Sequence, residues 1–351
     1  MAGANDNNTG QVLTTTCTLF PNLNDQTVMT YKTIGPSKLI SDELLSIISV
    51  VVKSALYQIF SAFGMTTNFL NLVVFRKMGF RDTVNVSLFA LSVSDFCSLA
   101  SLFWMGICYN PIFADSEISI DSRGIQYITG GWPKFYFTRV SGLITAYVTF
   151  ERCLCTTMPL KVKSIVTTKR VLVVVICLYL TVAMSIAPIY VSTHIVWKWY
   201  PNKNRTQLGL VFSANRETIN SITFILNGVL CNGSFFFVVL CTVVLVTNLK
   251  KSMQWKKTFT RQKDKKGGKE NKASKMVTLV AVVFISCLFP GSVFSLAMYA
   301  VPEMNAGESQ QNLFFALASL IHITEAFNAS INTFVYLQMS SKYMQTFRQL
   351  F

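Results

Sequence analysis

"AYVTFERCLCTTMPLKVKSI" occupies residues 146–165. Up to Phe150 it is the end of a long apolar run. Glu151 and Arg152 then stand side by side, and Pro159, Lys161 and Lys163 follow. What such an acid–base pair means depends on the solvent, because charge inside hydrocarbon is costly and mostly functional. Composition decides that question. Of 351 residues, 51% are hydrophobic and 13% charged, and the mean hydropathy is +0.43. A soluble domain usually has about 25% charged residues. Twenty-eight Phe against two His point to lipid-facing surface rather than to acid–base chemistry. The chain reads as an integral membrane protein.

A helix crosses a bilayer with ~20 mostly apolar residues. Seven runs reach that length: 45–75, 84–108, 134–156, 168–191, 219–248, 274–300 and 312–337. All are far longer than the ~10-residue alternating strands of an outer-membrane barrel. Pro188 and Pro290 fall inside runs, which membrane helices tolerate. The polar start, with "AGANDNNTG", lacks the apolar core of a cleavable signal, so the first run is expected to act as an uncleaved anchor. The expected fold class is an all-α membrane protein, a seven-transmembrane helix bundle. Residues 1–44 precede it, 45–337 form it with a basic loop at 249–273, and 338–351 follow.

Basic residues orient the bundle. Arg76, Lys77, Arg81, Arg152, Lys161, Lys163, Lys169, Arg170, Lys342, Arg348 and eleven more between 250 and 275 fall on one side. These are twenty-one of the 31 Lys and Arg. By the positive-inside rule that side is cytoplasmic and the N-terminus lies outside. The net charge of +15 is therefore a topology signal, with no nucleic-acid partner needed. The basic loop is expected to be solvated and to touch anionic membrane lipids. Asn7 in "NNT" and Asn204 in "NRT" fall on the outer side as glycosylation acceptors, whereas "NVS" at Asn85, "NGS" at Asn232 and "NAS" at Asn328 lie in or beside membrane helices. Of nine cysteines, Cys17 lies outside and Cys108 near the outer end of the second helix, which leaves a bridge between them open. Most of the others read as small buried apolar residues.

Ionisable residues within the runs are few: Lys53, Asp95, Arg139, Glu151, Arg152 and Glu325, with His322 close by. Lys53 is near a helix end and can snorkel. Asp95 is too deep and too short for that. Further motifs stand on successive helices: Asn68 in "TNFLNLVVFRK", Asp95 in "LSVSD", "ERC" at 151–153, "FISCLFP" with Phe284, Cys287 and Pro290, and "NTFVY" from Asn332 to Tyr336. In this order, from about residue 50 to 351, the chain resembles the rhodopsin-like (class A) G-protein-coupled receptors. The triplet is similar to the family's Asp/Glu-Arg-Tyr, the sixth-helix motif to Phe-x-x-Cys-Trp-x-Pro and the seventh-helix motif to Asn-Pro-x-x-Tyr. "SSKYMQTFRQLF" looks like the family's short amphipathic eighth helix. "GFRDTVNVSLFALSVSDFC" and "FERCLCTTMPLKVKSIV" are similar to an expanded invertebrate branch described as chemosensory-receptor-like, with neuropeptide receptors as near relatives. Departures are Leu288 for the Trp and Thr333 for the seventh-helix proline, the latter expected to lessen a kink. Neither the start of the third helix nor 192–218 has a cysteine, so the family's usual disulfide there is missing.

The resemblance implies roles. Arg152 would be held by Glu151 and by Glu270 at the base of the sixth helix, and released to contact a heterotrimeric G protein; the bland alternative is that the pair only marks a helix end. Pro159 and Leu160 would face that G protein. Asp95, with Asn68, Ser141, Asn328 and Asn332, would hold an allosteric Na+ or a network of waters. All of them carry oxygen, as a hard cation requires. An extracellular ligand would meet Trp104, Lys134, Phe135, Thr138, Arg139, Ser292, Ser295, His322 and Glu325. By depth, Arg139 lies ~20 Å above Arg152, so a pair with Glu325 is expected. Lys134 stands where amine receptors have an acid, which argues against a biogenic amine. A basic rim of Lys134, Lys198 and Lys203 would suit an anionic small molecule or peptide, or simply face water. Thr258, Thr260 and Ser274 are the phosphorylation candidates.

Rival classes have less support. A seven-helix transporter or ligand-gated channel should show inverted repeats or paired broken helices, and neither is visible. No His-Glu-x-x-His, Gly-x-Ser-x-Gly or Walker loop supports an enzyme. "CLC" at 153–155 lacks further metal ligands.

Overall fold

Caps and breakers divide the chain into long helices. The computed structural model describes residues 38–259, 265–305 and 307–351. Helix α1, Asp42–Met78, starts where the Ser41 hydroxyl accepts from the Leu44 N–H, and contains a π-helical stretch at Ser49–Leu56. It stops at Gly79, whose φ of +79° suits a residue without Cβ. Helix α2, Thr83–Tyr109, is capped by the Asp82 carboxylate accepting from the Val84 N–H. Then come α3 (Trp132–Thr157), α4 (Thr168–Val191, capped by Thr167), α5 (Arg216–Phe259), α6 (Lys265–Ala300) and α7 (Gln311–Met339). The short α8 (Ser341–Leu350) starts where the Ser340 hydroxyl accepts from the Tyr343 N–H.

Six of the seven long helices have the length and apolarity to cross a membrane. The exception is α3, which the sequence counted as a span. It carries Lys134, Arg139, Glu151 and Arg152, and it is the helix the others surround: α2, α4, α5 and α6 all pack on it. Charge that lipid would reject is thereby placed against protein. On the rim, α4 shows lipid-type residues outward: Leu172, Val173, Ile176, Leu180, Met184 and Val191 are all exposed. The bundle of membrane helices is the expected one.

The basic connection 249–273 differs from a plain loop. Helix α5 runs on to Phe259 and α6 begins at Lys265. At 44 residues α5 is about 66 Å long, twice the ~30 Å of hydrocarbon. Lysine and glutamine are good helix formers, so a helix nucleated in the apolar half propagates into the basic one.

At the opposite end, 192–218 forms an unexpected hairpin. Strand β1 (Thr193–Tyr200) pairs antiparallel with β2 (Arg205–Phe212), from Thr193↔Phe212 to Tyr200↔Arg205. The turn is closed by Asn204 at φ 46°, a left-handed position that asparagine tolerates. Backbone bonds dock this hairpin on the α2–α3 connection: Leu208 N–H donates to Ser119 O at 2.8 Å, and Asp121 N–H to Leu208 O at 2.9 Å. The buried Gln207 amide adds a bond to Ile118 O at 3.1 Å. Tyr200 donates to Asp121 Oδ2 at 2.9 Å. Burial, then the adjacent Asp121 carboxylate, push this phenol up to about 12, so it stays a donor at neutral pH.

At the α8 end, Val74, Phe75, Leu88, Leu91, Ile144 and Tyr336 form the largest buried cluster, which Tyr343 of α8 enters. Inside it Asn71 is a shared acceptor. Its Oδ1 takes the Tyr343 hydroxyl at 2.6 Å and lies 3.0 Å from the Thr333 hydroxyl, which is also 3.0 Å from Thr67 O. Thr333, at the seventh-helix proline position, thus joins α7 to α1. Tyr343→Phe is expected to cost about 1 kcal/mol, one net hydrogen bond, and Asn71→Ala up to about 3 kcal/mol, because the buried Tyr343 hydroxyl is left without an acceptor and the Thr333 hydroxyl keeps only Thr67 O. Thermal unfolding of the purified protein checks this; equal costs would show that the acceptor is not shared.

Candidate functional site

In the first turn of α3, the chain places a cation where a neighbouring helix can answer it. Lys134, 2% exposed, forms an ion pair with Glu325 of α7. His322, one turn before Glu325 on the same face, lies with Nδ1 2.8 Å from the ammonium and 3.3 Å from Glu325 Oε2. With an ammonium pointing at it, Nδ1 is an acceptor, so the imidazole is neutral. The cluster is a desolvated ion pair with a histidine accepting from its ammonium.

Arg139 has no such acid. Its guanidinium stacks 4.5 Å from the Phe135 ring centroid and donates to the Cys231 sulfur at 2.5 Å. Nε has no partner among the described residues. Ser292, on the turn after Pro290, is buried with its hydroxyl likewise unpartnered among them. Ser295 accepts from Asn232 Nδ2 of α5 at 3.3 Å.

Deeper, Asp95 sits 2% exposed between three helices. Its Oδ1 accepts from Ser141 at 2.6 Å and its Oδ2 from Asn332 Nδ2 at 3.0 Å. A small cavity beside it is lined by Asp95, Thr138, Ser141, Phe284, Glu325 and Asn328. Glu325 therefore looks both to Lys134 and to the Asp95 cavity. Leu288 lines it too, in the place of the motif's tryptophan. Asn68 lies elsewhere, its amide donating to Gly64 O at 2.9 Å and Ala329 O at 2.8 Å.

At the α8 end of α3, Arg152 donates to Glu151 Oε1 at 2.7 Å, and the Thr83 hydroxyl donates to the same oxygen at 2.5 Å. Glu151 is 1% exposed. Tyr336 of α7 is buried, edge-on to Phe75 with centroids 5.4 Å apart.

A family model described as serpentine type 7TM GPCR chemoreceptor Srw matches residues 55–351. The chain belongs to that family. It is a G-protein-coupled chemosensory receptor, in a receptor family rather than an enzyme family, and nothing favours the transporter or channel alternative. No curated protein matches the chain.

Several expected site residues of the receptor come together and others do not. Lys134, His322 and Glu325 meet; Thr138, Ser141, Asn328 and Asn332 gather round Asp95. The expected Arg139–Glu325 pair does not form. Lys134 takes the acid instead, because five residues turn a helix by about 140°, so Lys134 and Arg139 face different neighbours. Lys134 is accordingly no part of an open basic rim. Trp104 is turned away, its indole donating to Thr129 at 2.9 Å and its ring meeting Phe113. Glu270 lies in α6 within 252–277, whose side chains are outside those described, as are the side chains of Pro159, Leu160, Thr258 and Ser274. Asn7, Cys17 and Thr260 also fall outside the described residues, while Asn204 is exposed at the hairpin tip. Thr83, Asn71 and Tyr343 were missed. Asn71 was legible as the next residue on the Asn68 face, three positions on; Thr83 left no signal, since only folding brings the base of α2 to α3.

Removing one member of a buried pair strands the other. Lys134→Met is expected to destabilise the receptor by about 3–5 kcal/mol, and adding Glu325→Leu to recover most of that. Thermal melting of the two variants in one detergent decides: a double variant no more stable than the single one contradicts an ion-pair role.

Proposed function

We propose that the receptor works as a class A-type switch in the plasma membrane. The hairpin end faces outside and the α8 end faces the cytoplasm, as the basic residues at 76–81, 161–170 and 250–275 require. An extracellular chemosensory ligand enters between α3, α5, α6 and α7 and disturbs the Lys134–Glu325–His322 cluster. Glu325 shares a cavity with Asp95, so a shift there changes what α7 offers to α2 and α3. The response at the other end is release of Arg152 to a heterotrimeric G protein.

The observation that carries this reading is the Glu151–Arg152 pair with Thr83 as second donor to the same oxygen. Both charged side chains are nearly enclosed, at 1% and 11% exposure. A shielded pair is strong when intact and costly when halved, which suits two discrete states. Thr83 adds a tie from α2, so opening the pair requires α3 to move against α2. Glu270 is the third member of this lock.

Asp95, Ser141 and Asn328 suit a small hard cation such as Na+, since all offer oxygen. Asn332, donating through its NH2, holds the carboxylate in place. A cation bound there would supply a positive charge that ties α2, α3 and α7 in one arrangement. Asn204, exposed at the hairpin tip, is the described glycosylation acceptor.

Basal G-protein activation at matched surface expression tests the lock across several G-protein families. Glu151→Gln is expected to raise ligand-free signalling about tenfold, the effect of ~1.4 kcal/mol on a two-state balance. Thr83→Ala and Glu270→Ala should raise it by less, and Arg152→Ala should abolish it. Unchanged basal activity in Glu151→Gln alongside a silent Arg152→Ala would refute the lock while leaving coupling intact.

A further inference from the structure

The helices of the hairpin half carry more positive charge than they neutralise. Lys134 is answered by Glu325, with the neutral His322 between them. Lys53 of α1 is buried between the rings of Tyr109 and Phe315, at 4.5 and 5.6 Å, whose faces answer its ammonium. Arg139 is different. A guanidinium keeps its charge and presents five N–H donors in one plane. The Phe135 face covers one side of that plane, and the only described in-plane acceptor is a thiol sulfur, a weak one. No acid lies within ion-pair distance of Arg139 among the described residues, and its Nε meets no acceptor there. A half-buried cation held within the bundle without an anion is a cost the fold bears for a reason.

We infer that Arg139 is the anion-receiving group of the ligand site, and that the receptor's ligand is a small organic monocarboxylate with an apolar or aromatic body. The charge at Arg139 sets the valence: one guanidinium without an acid matches one negative charge, and a dianion would bring a surplus into the bilayer. The guanidinium edge sets the shape, because a carboxylate accepts two parallel N–H bonds from it. The Phe135 ring and the neighbouring helices supply the apolar wall. Beyond the carboxylate, two buried groups stand without partners among the described residues, the Ser292 hydroxyl and Asn232 Oδ1. Asn232 follows the Cys231 that Arg139 touches, and it donates to Ser295. A hydroxyl or amide on the ligand body would satisfy them. An amine would bring a second positive charge beside Arg139, where Glu325 is already engaged by Lys134.

This inference rests on the receptor reading but not on coupling, so the test is a binding measurement that needs no G protein. Purified full-length receptor is melted alone and with hexanoate or 3-phenylpropionate, against hexanamide, 3-phenylpropionamide and hexylamine. Both carboxylates should raise the wild-type melting temperature, with no comparable rise from the amides or the amine. Arg139→Gln should melt higher than wild type without ligand, because an unanswered charge is gone, and should lose the carboxylate shift. Arg139→Lys keeps the charge but not the fork, and should bind carboxylate about tenfold more weakly, the loss of one charge-assisted hydrogen bond. If Arg139→Gln is not obtained folded, the Arg139→Lys result decides alone. The inference is overturned if Arg139→Gln melts below wild type, if Arg139→Lys binds as wild type does, if amides or amine shift the wild type as much as the acids, or if neither carboxylate shifts it. Loss of the Arg152 lock in signalling assays would leave all these outcomes unchanged.

Discussion

Hydrocarbon offers no hydrogen bonds, and that single constraint organises this molecule. Charges within the bundle are cheaper against protein than against lipid. The helix carrying four of them, α3, therefore cannot lie at the rim, and its neighbours close round it. Its two ends hold buried ion pairs, Lys134–Glu325 and Glu151–Arg152, and between them Ser141 reaches Asp95. The helix least suited to lipid thereby becomes the one through which both ends of the bundle communicate.

The cost of isolated charge also explains why the polar groups come in linked sets. Glu325 faces Lys134 on one side and the Asp95 cavity on the other. Asn71 collects hydroxyls from α7 and α8. Such shared acceptors make neighbouring helices interdependent, since moving one partner leaves another unsatisfied. A bundle tied in this way prefers a few complete arrangements to a continuum of partial ones.

The sequence was informative where the physics is local. Apolar run length located α1, α2, α3, α4 and α7 to within a few residues, and the membrane-length parts of α5 and α6 without their extensions into the basic connection. The polar partners of Asp95 were legible because the resemblance named them. What escaped notice depends on how helices rotate and approach. Depth alone matched Arg139 to Glu325, but angular phase gave the acid to Lys134. The hairpin at 192–218 shows in the sequence as two β-branched and aromatic stretches, "THIVWKWY" and "RTQLGLVF", to which helix periodicity is blind. Thr83 meets Glu151 across two helices, a contact that no linear pattern encodes.

The way the hairpin is fastened has a consequence for variation. No cysteine stands at either of the family's two usual positions, and the hairpin instead grips 116–121 largely through main-chain amides and carbonyls. Every non-proline residue carries those groups, so the attachment is indifferent to most side chains around it. Ile195, Trp197 and Trp199 project from β1 into the open, at 47%, 65% and 54% exposure. These positions can be rewritten freely while the cover stays in place. A receptor built so can change the exposed face of its hairpin by point substitution alone, without first inventing a new way to hold it.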